Sequence, residues 1–382
     1  MASVQSAVPS EGRIPELDGL RGLAILLVIL CHYIANSQHA SLGFWLHHLL
    51  SAFTVGWSGV DLFFVLSGFL IGGILLDARG SPSYFGTFYL RRVHRILPIY
   101  YAWLILYIGV VVGAVLFFHG RSSITGRDLA AVPYYFVFLQ NVIYAPTPFQ
   151  WEWLVVTWSL AVEEQFYLLA PPLIRFLSVR RLVIVLGTVI CAAPLLRLFA
   201  FRYLTKHDYL AQMAMPCRAD ALALGILAAV AWRWPAFRGF LKRHPGVLQR
   251  TFAYMMIGLT VLLWWLVRPI SVVTVTIGYS WLAGFYTCLL LLVLSQPEGV
   301  VAQVMRWRWL RELGGISYGV YLIHLTINML AHKVLLNSPP SISNLEGLGV
   351  TMLALCVTLF LAGLSWRFFE KPLIRRGHRY TY

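Results

Sequence analysis

Three groups of residues in this 382-residue chain could do chemistry. The first is Leu17-Asp-Gly-Leu-Arg-Gly-Leu-Ala-Ile-Leu-Leu-Val-Ile-Leu-Cys-His32, an apolar segment with Asp18 and Arg21 at its start and a histidine deep inside. At about 100° per residue, Arg21 and His32 return to within about 20° of one helix face while rising roughly 16 Å. Histidine titrates nearest neutrality, so His32 suits a base that takes a proton from a hydroxyl. A carboxylate such as Glu163 or Asp18 would orient the imidazole, and the sequence leaves the choice between them open. The second group is Tyr89-Leu-Arg-Arg-Val-His-Arg-Ile-Leu-Pro98. Here Arg91, Arg92 and Arg95 are three and four apart, so their guanidinium groups converge on a helix. Arginine forks bind phosphate oxygens in a planar, bidentate way; the plainer reading of the cluster is a cytoplasmic topology signal. The third is Thr157-Trp-Ser-Leu-Ala-Val-Glu-Glu-Gln-Phe-Tyr167, with Glu163 and Glu164 in tandem inside an apolar run. Steps of four put Ser159, Glu163 and Tyr167 on one face. A charge at bilayer depth costs about 3 kcal/mol on insertion scales, so these carboxylates must be neutral, paired or beside water.

The elements that must hold these groups are membrane helices. Apolar residues make up 59% of the chain and charged residues 12%, and the mean hydropathy is +0.73. Those values lie outside the soluble globular range. The expected fold class is all-α: a polytopic membrane protein with about ten transmembrane helices, at residues 20–35, 53–76, 96–118, 154–177, 182–204, 219–234, 251–267, 271–294, 313–336 and 347–369. Most approach the roughly 20 residues that a bilayer requires. The run Leu129 to Leu139 contains Pro133 and is too short to cross, so it reads as an interfacial or re-entrant piece.

Charge placement tests this count. With the N-terminus in the cytoplasm and the spans alternating, 22 of the 30 lysines and arginines fall on the cytoplasmic side and 8 on the other. That bias places both termini in the cytoplasm. The net charge of +15 sits in short juxtamembrane clusters with no nucleic-acid module, so lipid headgroups rather than nucleic acid are the expected partners. No removable signal peptide is evident before Leu17, and the first span is expected to anchor the chain. Residues 1–382 read as one membrane domain, with a polar N-terminal segment at 1–16 and a basic cytoplasmic tail at 370–382. Cys31, Cys191, Cys217, Cys288 and Cys356 have no metal-ligand spacing, and most read as small core residues. No metal is expected.

Weaker signals follow the same logic. In Gly59-Val-Asp-Leu-Phe-Phe-Val-Leu-Ser-Gly-Phe-Leu70, Asp61 is a buried acid, and Ser67, Gly68, Gly72 and Gly73 allow close helix packing. Arg218 and Asp220 are expected to pair with each other or with Arg197. Together with Ser67 and Tyr167 they are candidate acceptor-binding groups. His324 reads as a satisfied interhelical histidine, and His39, His47 and His48 as residues of an external loop.

Five of these segments together resemble the acyltransferase 3 family: Asp18-Gly-Leu-Arg21 with His32, Gly59 to Leu70, Arg91-Arg-Val-His-Arg-Ile-Leu-Pro98, Trp158-Ser-Leu-Ala-Val-Glu-Glu-Gln-Phe-Tyr167 and Phe369-Glu-Lys-Pro372. The resemblance runs in order through nearly the whole chain. It implies an enzyme that moves an acyl group, often acetyl from coenzyme A, to a hydroxyl of a carbohydrate, an antibiotic or another acceptor. By motif, His32 is then the catalytic histidine, Arg21 its partner on the first helix, and Arg91, Arg92 and Arg95 the set used by an acyl-coenzyme A donor. Glu163 takes the acidic position of the Trp-Ser-Leu motif. Longer members of the family carry an extracytoplasmic esterase-like domain. This chain ends twelve residues after Glu370, so it is expected to acylate its acceptor directly or to hand the group to a separate extracytoplasmic transferase. The expected location is the cytoplasmic (inner) membrane of a bacterium.

Two routes fit these residues: His32 as general base for direct attack, or a transient acyl-histidine. A proton-coupled transporter of a polar solute is the alternative of a different class, since intramembrane Arg, His and Glu also build proton relays. Against it, the chain shows no two halves with matching broken spans.

Overall fold

The computed structural model describes residues 14–35, 52–118, 127–142, 153–204, 209–266 and 271–382. His39, His47 and His48 lie outside them. Among the described residues the chain is helical throughout, without a strand. Its ten long helices are α1 (Pro15–Ile29), α2 (Gly59–Asp77), α3 (Tyr84–Phe118), α4 (Thr157–Phe176), α5 (Val179–Tyr203), α6 (Met215–Arg233), α7 (Gly246–Leu266), α8 (Tyr279–Ser295), α9 (Ser317–Leu336) and α10 (Leu345–Ser365). Each corresponds to one expected span. Eight spans are long and apolar enough to cross a membrane. In α4 the apolar run is interrupted by Glu163, Glu164 and Arg175, and α7 has a shorter apolar stretch, Gly246–Leu262.

Two helices depart from the expected pattern where the chemistry lies. α1 does not continue regularly to His32: it widens into a π-turn at Leu30–Ala35 that carries Cys31, His32 and Tyr33. Such turns insert an extra residue per hydrogen-bonded ring and are common at functional sites. α3 begins twelve residues before the expected span at Ile96 and runs for 35 residues, about 52 Å. Arg91, Arg92 and Arg95 therefore ride on the same helix as the span, as their spacing requires. Pro98 sits inside α3, where its missing N–H removes one helical hydrogen bond.

The chain divides into two compact units that alternate along the sequence. The first takes Met1–Val28, Val55–Ser81 and Phe166–Gly315; the second takes Ile29–Thr54, Pro82–Gln165 and Ile316–Tyr382. In the first, α2 and α6 meet backbone to backbone. A Cβ on Gly68 would lie 2.1 Å from the Leu222 carbonyl oxygen, and one on Gly225 2.3 Å from that of Val65. Between membrane helices, where water drives no burial, such close approach is what small residues provide. The Asp18-Gly-Leu-Arg-Gly motif has a similar use. A Cβ on Gly19 would strike the Met305 carbonyl and one on Gly22 that of Leu310, each at 1.9 Å. Arg306 clamps this end of α1 through Glu16 at 2.5 Å.

In the second unit, residues 127–142 form two short helices, Arg127–Ala130 and Val132–Phe136, followed by a polar anchor. Gln140 donates to the Thr157 carbonyl at 3.0 Å, while Asn141 and Gln165 exchange bonds through their amides at 2.7 and 3.3 Å. The non-crossing piece is thus tied to α4 by side-chain amides. The basic tail is also structured. Residues Lys371–Gly377 form a helix, and the Thr381 carbonyl then accepts bonds from Ser83 at 2.9 Å and Thr87 at 2.8 Å on α3. Of the cysteines, Cys31, Cys217 and Cys288 are buried as expected, whereas Cys191 and Cys356 are exposed on the outer faces of α5 and α10. A thiol costs little against lipid, so burial is not required there.

Gly68→Ala should lower stability by about 1–3 kcal/mol, the usual range for overpacking, because the obstacle is backbone. Gly109→Ala, whose Cβ would meet nothing within 4 Å, should be neutral. Thermal unfolding of the detergent-solubilised variants compares the two.

Candidate active site

The first unit places Asp18 and Arg21 together: the guanidinium donates to the carboxylate at 3.3 Å within one turn of α1. Ser67 and Tyr167 also meet, hydroxyl to hydroxyl, at 2.8 Å. Arg218 and Asp220, two apart in sequence, take separate ion-pair partners. Arg218 binds Asp61 on α2 at 2.7 Å and stacks 3.9 Å above the ring of Tyr279. Asp220 takes Arg197 of α5 at 2.9 Å and the hydroxyl of Ser280 at 2.7 Å. Arg197, with 0% of its surface exposed, also donates to the carbonyls of Val275 and Cys217 at 2.5 and 2.6 Å. The expected Asp220–Arg197 pair is present, while Arg218 pairs with Asp61 instead of Asp220. Two crossed ion pairs therefore knit α2, α5, α6 and α8. Removing a single partner from a buried pair strands a charge, typically at about 3–5 kcal/mol, so these groups have a structural task whatever they bind.

The second unit holds His32, Glu163 and the three arginines. The ring of His32 faces that of His324 on α9: His32 Nδ1 lies 3.0 Å from His324 Nε2, with ring centroids 5.0 Å apart. His324 is fully buried and its Nδ1 lies 2.7 Å from the Tyr321 carbonyl. Tyr33, one residue beyond His32, donates its hydroxyl to the His324 carbonyl at 2.8 Å and must then accept from Thr358 of α10, also at 2.8 Å. Ser159 of α4 meets the Tyr321 hydroxyl at 2.7 Å. A chain of polar contacts thus runs from α4 through α9 to the histidine of the π-turn. His324, read from the sequence as a merely satisfied histidine, is the described ring partner of His32. The available signal was its place in an apolar span, eight residues after Ile316, in a stretch with three hydroxyl side chains.

The arginine cluster is wired to carboxylates. Arg92 acts electrostatically on Glu164, and Arg95 on Glu370, whose Oε1 accepts from Ser365 at 3.0 Å. Glu163, Glu164 and Glu370 all lie within electrostatic reach of Tyr318, which donates to the Ile96 carbonyl at 3.1 Å. Arg91 instead holds the tail. Its Nε and Nη2 donate to the Tyr380 carbonyl at 2.9 and 2.6 Å, and its guanidinium lies 5.0 Å from the Tyr382 ring centroid. The expected convergence is registered at His378, where partial desolvation and then the charges of Arg91, Arg95 and Arg92 hold the imidazole below its ordinary pKa. Three cations sharing one small region raise the local positive potential.

The second unit thus combines a histidine pair between helices with an arginine cluster at the start of α3. A family model described as an acyltransferase domain matches residues 14–367, and the chain belongs to that family, acyltransferase 3. The peptidoglycan O-acetyltransferase OatA of Listeria monocytogenes is 30% identical over 398 residues, covering 96% of this chain and 57% of its own length. The O-acetyltransferase OatA of Staphylococcus aureus is 27% identical over 376 residues, covering 96% and 58%. The chain therefore spans a little more than half the length of these relatives. No solved structure matches it.

The His378 titration midpoint should lie below about 6.5, and Arg91→Gln should raise it. Because a depressed midpoint means that the undocked tail takes the proton first, tail docking should weaken as pH falls through about 6.5. Histidine-resolved NMR of the protein in nanodiscs measures both effects.

Proposed function

We propose that this chain is an O-acetyltransferase of the bacterial cytoplasmic membrane that takes an acetyl group from cytoplasmic acetyl-coenzyme A and transfers it to a hydroxyl of a carbohydrate. The observation that carries the reading is the His32–His324 pair, set in the same compact unit as the Arg91, Arg92 and Arg95 cluster. The names of the relatives support a cell-wall glycan as acceptor. In this reading the arginines bind the phosphates of the donor.

The reaction requires one base. His32 takes the proton of the acceptor hydroxyl as its oxygen bonds to the acetyl carbon. The carbon–sulfur bond then breaks with its electron pair on sulfur, and His32 returns the proton to the thiolate, releasing free coenzyme A. Glu163 and Asp18 remain the candidates for a supporting charge, and the His324 imidazole lies against His32 as well. Ser67, Tyr167, Arg218 and Asp220 belong to the acceptor side in this reading, with the two ions held by their internal pairs.

The test is thiol release from acetyl-coenzyme A by the protein in nanodiscs, with muropeptides or polymeric glycan strands as acceptors. His32→Ala should reduce transfer at least about 100-fold, the lower range for a general base, with an unchanged elution profile. Undiminished transfer would refute the assignment. Arg92→Gln and Arg95→Gln should each weaken binding of adenosine 3′,5′-bisphosphate by about tenfold or more, the weight of one hydrogen bond to a charged group. Equal dissociation constants by calorimetry would remove the donor from the cluster.

A further inference from the structure

We propose that His324 is a positioning residue that fixes which nitrogen of His32 is basic. The inference rests on the acyl-transfer reading above and adds to it the tautomer of the base. It begins with the Tyr321 carbonyl, 2.7 Å from His324 Nδ1. The Val320 carbonyl faces the same ring. A carbonyl oxygen only accepts, so Nδ1 of His324 carries the hydrogen. In a neutral imidazole the other nitrogen is then an acceptor. That nitrogen, Nε2, lies 3.0 Å from His32 Nδ1, and the hydrogen between them must come from His32. His32 is thereby held as the Nδ1–H tautomer, with the basic lone pair on Nε2.

The same contact serves the charged state. When His32 Nε2 takes the hydroxyl proton, the ring becomes an imidazolium that still donates Nδ1–H to His324, and the bond becomes charge-assisted and stronger. His324 needs no proton of its own for this. Its ring is held by full burial, and the backbone around it is held by Tyr33, which donates to its carbonyl at 2.8 Å. The π-turn presents His32 and Tyr33 together, so one local deformation of the first span supplies both the ring contact and the backbone contact.

Two variants separate positioning from packing. His324→Asn keeps an amide where Nδ1 sits, able to satisfy the Tyr321 carbonyl, but is too short to reach His32. His324→Gln places an amide oxygen near the position of Nε2, where it can accept from His32 Nδ1–H. We expect His324→Asn to lower kcat for acetyl transfer about 100-fold, the scale of misplacing a base, with the KM for acetyl-coenzyme A unchanged. His324→Gln should recover most of the rate. In nanodiscs containing 15N-histidine protein, the His32 signals, assigned by their loss in His32→Ala, should show hydrogen on Nδ1 in the wild type and in His324→Gln. In His324→Asn that preference should be lost. A wild-type His32 with its hydrogen on Nε2 overturns the proposal, as do Asn and Gln variants that are equal in rate and in tautomer. The wild-type spectrum decides the matter even where a variant does not fold. If the wild type releases no thiol from acetyl-coenzyme A, the acyl-transfer reading fails, and the spectrum still decides the tautomer.

Discussion

Every polar side chain that these helices carry into an apolar layer must find its partner inside the protein, because hydrocarbon offers no hydrogen bonds. The described structure answers that demand with interhelical pairs. Asp61 takes Arg218, Asp220 takes Arg197, Ser58 takes Tyr286 at 2.7 Å, and His32 takes His324. Each pair joins different elements, three of them far apart in sequence, so meeting the polar demand also specifies which helices are neighbours. The apolar residues make the segments insert, and the polar ones decide how the segments assemble.

The general architecture was legible because hydropathy and charge bias act on long windows. Ten spans were expected and ten long helices occur among the described residues, including α4, whose carboxylates lower its hydropathy. The tight packing at Gly68 and Gly72 was also legible, since small residues at helical spacing have few other uses in a membrane. Partnership was legible only in part, as in the expected Asp220–Arg197 pair. Asp18 and Glu163 were the named candidates to orient His32, because a carboxylate is the familiar companion of a catalytic imidazole. The structure also sets another imidazole, 292 positions away, against that ring, and nothing local in the sequence marks the pairing. Likewise, the crossed arrangement of Arg218 and Asp220 depends on the azimuths of four helices, which periodicity alone does not supply.

The π-turn is the second thing sequence periodicity missed, and for a related reason. Leu30-Cys-His-Tyr-Ile-Ala35 contains no proline or glycine that would announce an irregular turn. It is held by contacts made elsewhere: Cys31 donates to the Thr54 carbonyl at 3.3 Å, and Tyr33 lies between α9 and α10. A wider turn costs helix geometry, and the return is a ring set against a distant partner. The irregularity belongs to the assembled unit rather than to the segment that displays it.

The return of the chain onto α3 has a further meaning. Arg91, Ser83 and Thr87 grasp the tail through the carbonyls of Tyr380 and Thr381, groups that every amino acid supplies. Recognition of main chain is nearly blind to side-chain identity. Aside from the ring contacts of Tyr380 and Tyr382, that segment could drift in composition and still latch onto the arginine helix. The family match stops at residue 367, before the latch begins. Shared ancestry is read from side chains, so a fastening written in backbone can persist across relatives while leaving little for a sequence comparison to find.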